Sequence, residues 1–201
     1  MTMKKILYKL VPIITIIMLS SFSTQQNYSI AFFGDSLTQM ADWDGYLDRR
    51  DVYVYAKNGD ITANMKKNVD HIIQANPKIC FMMGGINDIA KGIPVDDVFA
   101  NLRHMAVKMK SWGIIPVVQS TLYIQADEGG FAKWNEKVEP LNKQLEAYCA
   151  KNAIEYLDLN TILAANKSLK SDYTSDGVHL NQYGYMLWTN EIKKILTKYS
   201  I

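Results

Sequence analysis

The sequence predicts an α/β fold in which a parallel β-sheet is covered by helices on both faces. Five short runs are rich in β-branched and aromatic residues, and helical apolar stripes separate most of them. The runs are almost continuously apolar, which is typical of parallel strands that are buried on both faces. Right-handed crossovers between such strands place helices on the sheet. The 201 residues, 48% of them hydrophobic, suffice for one domain with a sizeable core.

The predicted strands are, in order, Tyr28 to Phe33, Val52 to Ala56, Ile79 to Met83, Ile114 to Val118 and Ile154 to Leu157. Apolar residues at helical spacing predict the main helices, around Met65 to Ile73, Val98 to Met109, Val138 to Cys149 and Tyr185 to Tyr199. Ligands of such sheets bind beyond the carboxyl ends of the strands, so we expect the functional residues in the loops that follow them.

The first 23 residues have the layout of a secretory signal peptide. Lys4, Lys5 and Lys9 precede an apolar run from Leu10 to Leu19, and Ser23 offers a cleavage site. This apolar run of ten residues, broken by a proline, is too short to span a bilayer. We therefore expect a signal peptide over residues 1–23, one mature domain over 24–201, export to the periplasm or the extracellular space, and no stable membrane insertion after cleavage. An uncleaved anchor is the alternative.

The charge and the cysteines exclude some other functions. Three of the 22 basic residues lie in the predicted signal, which would leave the mature chain with 19 basic against 20 acidic residues. Since no basic run is interleaved with aromatic residues, we expect no nucleic-acid partner. No histidine pair has the spacing of metal ligands, so we expect no metal. Cys80 and Cys149 both lie in apolar patterns, which favours buried free thiols over a disulfide.

Ser36 is the first candidate for chemistry, because it follows the first strand closely after Gly34. A serine there projects from the functional edge of the sheet, although a helix N-cap is an equally ordinary role. A serine hydroxyl needs a histidine to become a nucleophile, and that histidine needs an orienting carboxylate. His71 and His104 lie on polar helix faces, where solvent exposure is expected. His179 lies in an irregular Ser, Asp and Gly-rich segment, three residues after Asp176, so one loop can supply base and acid.

Acyl transfer also requires hydrogen-bond donors for the developing oxyanion. Gly59, after the second strand, can present a backbone N–H because it has no side chain. Asn87, after the third strand, can supply an amide. Taken singly, Gly59 could simply form a turn and Asn87 could cap a helix.

Four ordered blocks, Gly34-Asp35-Ser36-Leu37, Gly59, Gly85-Ile86-Asn87-Asp88 and Asp176-Gly177-Val178-His179, resemble those of the GDSL esterase/lipase, or SGNH hydrolase, family. The resemblance covers essentially the whole mature chain. It implies a flavodoxin-like three-layer α/β/α fold with a five-stranded parallel sheet, no cofactor, and hydrolysis of acyl esters through an acyl-enzyme.

The resemblance also implies a role for each matching residue. Ser36 would be the nucleophile, His179 the base and Asp176 its orienting acid. The backbone N–H of Ser36, Gly59 and Asn87 would form the oxyanion hole. Asp35 and Asp88 would be supporting residues that brace the loops.

The substrate depends on other loops, since the four blocks specify only acyl transfer. The segment Tyr123 to Trp134 is polar and carries aromatic residues, and Tyr123, Gln125 and Trp134 are its candidate contacts. Flat rings beside hydrogen-bonding groups suit a sugar, which favours a carbohydrate O-acetylesterase. A lysophospholipase or thioesterase-type acyl hydrolase is the alternative. A purely structural role for Trp134, which would open the following helix and pack internally, is the other interpretation of this segment. A non-catalytic carbohydrate-binding protein on the same fold is the alternative of another class.

Overall fold

The computed structural model describes residues 27–126 and 132–201. Five parallel strands form its central sheet in the order β2-β1-β3-β4-β5. They are β1 Ile30–Gly34, β2 Val52–Ala56, β3 Ile79–Met82, β4 Ile115–Gln119 and β5 Glu155–Leu157. The predicted α/β fold with a five-stranded parallel sheet is confirmed. The strand order reverses between β1 and β3, which opens the crevice where sheets of this kind bind ligands.

The strands lie close to their predicted positions, and the differences have local causes. Every residue of β1 is buried, as the continuous apolar run predicted. Tyr28 precedes β1 instead of starting it, and its apolar ring packs on Tyr53 with centroids 5.0 Å apart. The apolar run in the sequence is therefore longer than β1, because the ring of Tyr28 covers this end of the sheet together with Tyr53.

The helices are α1 Ser36–Gln39, α2 Trp43–Leu47, α3 Thr62–Ala75, α4 Ile86–Ala90, α5 Val95–Ser111, α6 Ala132–Lys151, α7 Asn160–Leu163 and α8 Gln182–Tyr199. The four predicted apolar stripes lie in α3, α5, α6 and α8. Helices α3, α5 and α6 pack side by side, and α2 packs on α8. The reversal of strand order places these two groups on opposite faces, since the crossovers are right-handed. A short hairpin, β6 Ala164–Ala165 with β7 Ser168–Leu169, and a 3₁₀ turn, Ser171–Tyr173, lie between α7 and α8.

An aromatic cluster fixes α8 on the sheet. Trp43 stacks on Phe32 of β1 at a centroid distance of 3.9 Å and meets Trp188 of α8 edge-on at 4.9 Å. The Trp188 indole N–H donates to the Gln119 side chain at the end of β4, at 2.6 Å. Rings packed in this way bury large apolar areas. Helix α8 is therefore anchored to β1 through Trp43 and to the carboxyl end of β4 through Gln119.

Both cysteines are free and buried, as predicted. Within the described residues, no helix has the length and apolar character needed to cross a membrane. The predicted signal peptide, residues 1–23, lies outside the described residues.

Candidate active site

Ser36 is the first residue of α1, directly beyond the carboxyl end of β1. The helix N-cap is Asp35, whose Oδ1 accepts the Leu37 N–H at 3.1 Å, so the capping role considered for Ser36 belongs to its neighbour. The chain turns sharply because Gly34 has no side chain: a Cβ there would collide with the Thr38 side chain and lie 2.9 Å from the Met83 carbonyl oxygen.

The His179 ring lies between Ser36 and Asp176. Its Nε2 is 3.0 Å from Ser36 Oγ, and its Nδ1 is 2.7 Å from Asp176 Oδ2. The structure thus brings together three residues that are up to 143 positions apart in the sequence. A ring nitrogen at this distance can take the hydroxyl proton while the carboxylate holds the other ring nitrogen as a donor.

The Asp176 carboxylate also organises its own loop. Its Oδ1 accepts the backbone N–H groups of Val178 at 2.9 Å and of His179 at 2.7 Å. Partial burial opposes ionisation of this carboxyl. The hydrogen bonds from the His179 ring and from the two backbone N–H groups outweigh burial and lower the pKa of Asp176 to about 2. Asp176 is therefore a carboxylate throughout the neutral range.

Three further hydrogen bonds hold this loop, two of them within the loop and one to the segment after β4. The Thr174 hydroxyl donates to the His179 carbonyl at 2.7 Å and accepts the Gly177 N–H at 2.9 Å. The Gly177 carbonyl accepts the backbone N–H of Gln125 at 2.7 Å. The segment after β4 thereby fixes the loop that carries His179.

Gly59 and Asn87 lie on the same cavity as Ser36 and His179. Gly59 has a φ of +68°, a left-handed conformation that favours glycine, in the loop after β2. Asn87 is the second residue of α4, which Gly85 caps, so Asn87 is not a helix cap. The Asn87 amide nitrogen donates to the Asp60 carbonyl at 3.0 Å and lies 3.4 Å from Asp35 Oδ2.

Two buried carboxylates lie behind these loops. Asp35 and Asp88 are both fully inaccessible to solvent. Burial, reinforced by the charge of Asp88, raises the pKa of Asp35 to about 7 against the hydrogen bond from Leu37. Burial likewise raises the pKa of Asp88, although it accepts the Thr62 hydroxyl at 2.6 Å and the Thr62 N–H at 3.0 Å. Asp88 thus ties α4 to the start of α3.

The cavity over Ser36 has a volume of about 320 Å³ and an apolar wall. Beside the polar residues already described, this wall is formed by Met40, Ile86, Ala90, Trp134 and Val178. Among the described residues, no group of three or more acidic, histidine or cysteine side chains has the arrangement of a metal site.

A family model of GDSL-like lipases/acylhydrolases matches residues 32–187. The chain belongs to this family. Its fold is the α/β fold of other proteins of this family of GDSL-like lipases and acylhydrolases. A GDSL-like lipase from Bacteroides thetaiotaomicron superposes with a TM-score of 0.77 at 22% identity, covering 87% of this chain and 90% of that chain. An acetylxylan esterase from Geobacillus stearothermophilus superposes with a TM-score of 0.67 at 16% identity, covering 82% of this chain and 92% of the other.

A curated relative is similar over only part of its length. The N-acylneuraminate cytidylyltransferase of Streptococcus agalactiae serotype V is 26% identical over 176 residues, which are 81% of this chain and 39% of the relative. This chain thus spans about two fifths of the length of the curated relatives that it matches.

The residues predicted to contact substrate fall in three different places. Trp134 lines the cavity over Ser36, whereas Tyr123 is not among the described residues that line this cavity. The Tyr123 N–H donates to Asn160 Oδ1 at 3.0 Å instead. Gln125 lies beside Gly177 and braces the His179 loop through its backbone. Asp127 to Phe131 of the same predicted segment lie outside the described residues.

Sequence reasoning missed most of the apolar wall. Ile86 and Val178 lie inside two of the four sequence blocks, so their place beside the polar residues could have been expected. Met40 follows Ser36 by about one helical turn, and Ala90 follows Ile86 by the same distance. The sequence carried no separate signal for either.

Proposed function

We propose that this chain is an exported carbohydrate O-acetylesterase that works through an acyl-enzyme on Ser36. The observation that carries the proposal is the continuous hydrogen-bonded line from Asp176 through the His179 ring to the Ser36 hydroxyl, at 2.7 and 3.0 Å. It lies on the edge of a cavity that also contains Gly59 and Asn87.

Ser36 Oγ attacks the ester carbonyl carbon while His179 Nε2 takes the hydroxyl proton. The Asp176 carboxylate holds the Nδ1–H and stabilises the imidazolium that forms. The bond between the former carbonyl carbon and the sugar oxygen then breaks, and that oxygen takes the proton from His179 and leaves as the sugar hydroxyl. A water molecule attacks the acyl-enzyme by the same route and releases acetate and free Ser36.

The negative oxygen of the tetrahedral intermediate would accept hydrogen bonds from the backbone N–H groups of Ser36 and Gly59 and from the Asn87 amide. One Asn87 N–H is committed to the Asp60 carbonyl at 3.0 Å, while the contact with Asp35 at 3.4 Å is long. Turning that second N–H towards the oxyanion exchanges a weak contact for a strong one, since an oxyanion is a charged acceptor.

Three observations favour an acetylated sugar as substrate. Trp134 gives the cavity an aromatic surface on which a sugar ring can stack. The Geobacillus acetylxylan esterase has the same fold, and the Streptococcus relative is named for an acylated sugar acid. An exported enzyme of this kind would remove acetyl groups from polysaccharide outside the cytoplasm.

A second candidate, a lysophospholipase or thioesterase-type acyl hydrolase, is favoured by the apolar wall. Met40, Ile86, Ala90 and Val178 can contact an acyl chain longer than acetyl. The alternative of another class is a non-catalytic carbohydrate-binding protein on this fold. The His179 ring within hydrogen-bonding distance of the Ser36 hydroxyl disfavours it, because sugar binding does not require a base beside a serine.

A chain-length series of aryl esters separates the two enzyme functions. The proposal expects acetate to be released faster than longer acyl groups, and expects acetate from acetylated xylan or acetylated sialic acid. A preference for eight or more carbons would assign the enzyme to lipid-like or thioester substrates.

Variants separate the enzyme from a binding protein. Ser36→Ala should abolish turnover with folding intact, His179→Ala should do nearly the same, and Asn87→Ala should retain weak activity, because one of several oxyanion donors contributes about 100- to 1000-fold. Ser111→Ala, an exposed serine at the end of α5, is the matched control and should keep the wild-type rate. Hydrolysis by Ser36→Ala at the control rate would show that another group carries the reaction.

A further inference from the structure

We infer that Gln39 is a positioning residue that sets the direction of the Gly59 N–H relative to the Ser36 hydroxyl. The inference rests on the proposed function, because it concerns the loop that would bind the oxyanion. We call residues 57–60 the oxyanion loop.

The oxyanion loop is tied to β1 at one end and to α4 and α3 at the other. The Lys57 N–H donates to the Gly34 carbonyl at 3.2 Å, and the Asp60 carbonyl accepts the Asn87 amide at 3.0 Å. The Asn64 amide also donates to Asp60 Oδ1 at 2.9 Å. Within the loop, the Asp60 N–H donates to the Lys57 carbonyl at 3.1 Å and closes a turn whose central residues are Asn58 and Gly59. These contacts shape the turn, but they do not set the position of its two central residues relative to α1.

The centre of the loop is held by Gln39. Its side-chain oxygen accepts the backbone N–H of Asn58 at 2.7 Å, across 19 positions of sequence. Gly59 itself has no side chain that could be packed, and a Cβ there would meet nothing within 4 Å. The hydrogen bond to Gln39 therefore restrains the peptide group between Lys57 and Asn58, one residue before the peptide group that carries the Gly59 N–H.

The same short helix carries both Ser36 and Gln39. In α1 the Gln39 N–H donates to the Asp35 carbonyl at 2.9 Å, and the Met40 N–H donates to the Ser36 carbonyl at 3.0 Å. Residues three apart lie on neighbouring positions of a helix surface. The hydroxyl that attacks and the acceptor that restrains the oxyanion loop thus belong to one rigid unit.

Removal of the Gln39 side chain should act on the transition state and spare the bound substrate. An ester carbonyl carries little charge in the ground state, so a misdirected Gly59 N–H costs binding little. The loss of a whole oxyanion donor costs about 100- to 1000-fold in rate. Gly59 stays in place in the variant and only the direction of its N–H relaxes. We therefore expect kcat to fall by about 5- to 20-fold, less than the loss of a whole donor would cause.

The test compares Gln39→Ala, Gln39→Glu and the control Gln74→Ala, an exposed glutamine in the last turn of α3. The assay is steady-state hydrolysis of 4-nitrophenyl acetate, with inhibition by methylboronic acid, which forms a tetrahedral anionic adduct with an active serine. Gln39→Ala should lower kcat with KM within twofold of wild type, and should weaken boronic acid inhibition by the same factor as kcat. Gln39→Glu should restore kcat to within threefold of wild type, because a carboxylate also accepts the Asn58 N–H.

A kcat for Gln39→Ala within twofold of the Gln74→Ala value would overturn the inference, as would a loss that Gln39→Glu fails to restore. A purely structural role would change KM and the melting temperature together with kcat, which also overturns it. These outcomes differ from a failure of the proposed function, in which the wild-type protein itself would neither hydrolyse the ester nor bind the boronic acid.

Discussion

Replacement of Asp176 by asparagine changes the proposed acid while keeping most of the loop geometry. In Asp176→Asn, the side-chain amide oxygen can still accept the Val178 and His179 N–H groups that Asp176 Oδ1 accepts at 2.9 and 2.7 Å. The new NH₂ group would then face His179 Nδ1 at the place of Asp176 Oδ2, 2.7 Å away. Two donors cannot share a hydrogen bond, so the ring must carry its proton on Nε2 and can no longer accept the Ser36 proton.

The size of the effect follows from the contact that is lost. A hydrogen bond to a charged group contributes about 1.5–3 kcal/mol. At about 1.4 kcal/mol for each factor of ten in rate, its loss corresponds to roughly 10- to 150-fold in kcat. The unfavourable tautomer adds to this figure. The side chain of Asp176 is 53% exposed, so water can replace part of the interaction, and we expect a decrease of about 100-fold.

The assay is the kcat of Asp176→Asn, Asp176→Ala and the control Asp172→Asn, which removes the same charge from an exposed position four residues earlier. Asp176→Ala should lose a similar amount of activity and also stability, because it leaves the two backbone N–H groups without their acceptor. Asp172→Asn should retain the wild-type rate. If Asp176→Asn kept more than a third of the control activity, the reasoning about the orienting carboxylate would be wrong.

Three further variants test how buried residues stabilise the fold near the candidate site. Gly34→Ala should lower the free energy of unfolding by about 1–3 kcal/mol, because a Cβ there collides with the Thr38 side chain, and unchanged urea unfolding would contradict this. Asp35→Asn should flatten the dependence of the melting temperature on pH. Burial raises the pKa of Asp35 from 3.8 to about 7 in the folded chain, so the folded state holds the proton more tightly than the unfolded state. The wild type should therefore lose stability as the pH rises between those values. An equal dependence of the melting temperature on pH in both proteins would refute the raised pKa of Asp35. Asn135→Ala should destabilise the protein by about 2–4 kcal/mol, because its buried amide both donates to Ile124 at 2.7 Å and accepts from it at 3.0 Å, and a melting temperature within 2 °C of wild type, roughly the resolution of such a comparison, would contradict it.

The sheet and the main helices could be predicted because their signals are local and repeat. Buried parallel strands such as Ile79–Met82 are apolar at every position, and the stripes of α5 and α8 follow the helical period over several turns. The strand order could not be worked out from these patterns, since it depends on which strands meet in space. The resemblance to the GDSL family implied a flavodoxin-like five-stranded parallel sheet, and the order β2-β1-β3-β4-β5 comes from the structure.

The candidate catalytic residues could be proposed from the sequence because they lie in short blocks with a recognisable combination of side chains. Ser36, Asp176 and His179 are each recognisable from chemistry and neighbouring sequence, and the structure places them within hydrogen-bonding distance. Gln39 could not be predicted as a contact of the oxyanion loop, because nothing in its local sequence points to Asn58, 19 residues away.

The segment Tyr123 to Trp134 was only partly predicted, and the reason lies in its long-range contacts. The chain directly after β4 forms no regular secondary structure up to Ala126, and side-chain amides bind several of its backbone groups. Asn142 pairs with Thr121 at 2.8 and 2.9 Å, and Asn160 accepts the Tyr123 N–H at 3.0 Å. These amides come from α6 and α7, so no periodicity near Tyr123 could reveal that its backbone is tied away from the cavity.

The most direct test of the proposed chemistry is labelling with a fluorophosphonate probe, followed by mass spectrometry of the modified peptide. We predict one adduct, on Ser36, in the wild-type protein, and labelling slower by at least about 100-fold in His179→Ala, since the hydroxyl reacts only when a base takes its proton. An unlabelled Ser36 in folded wild-type protein, or equal labelling rates with and without the His179 ring, would contradict the assignment of Ser36 as an activated nucleophile.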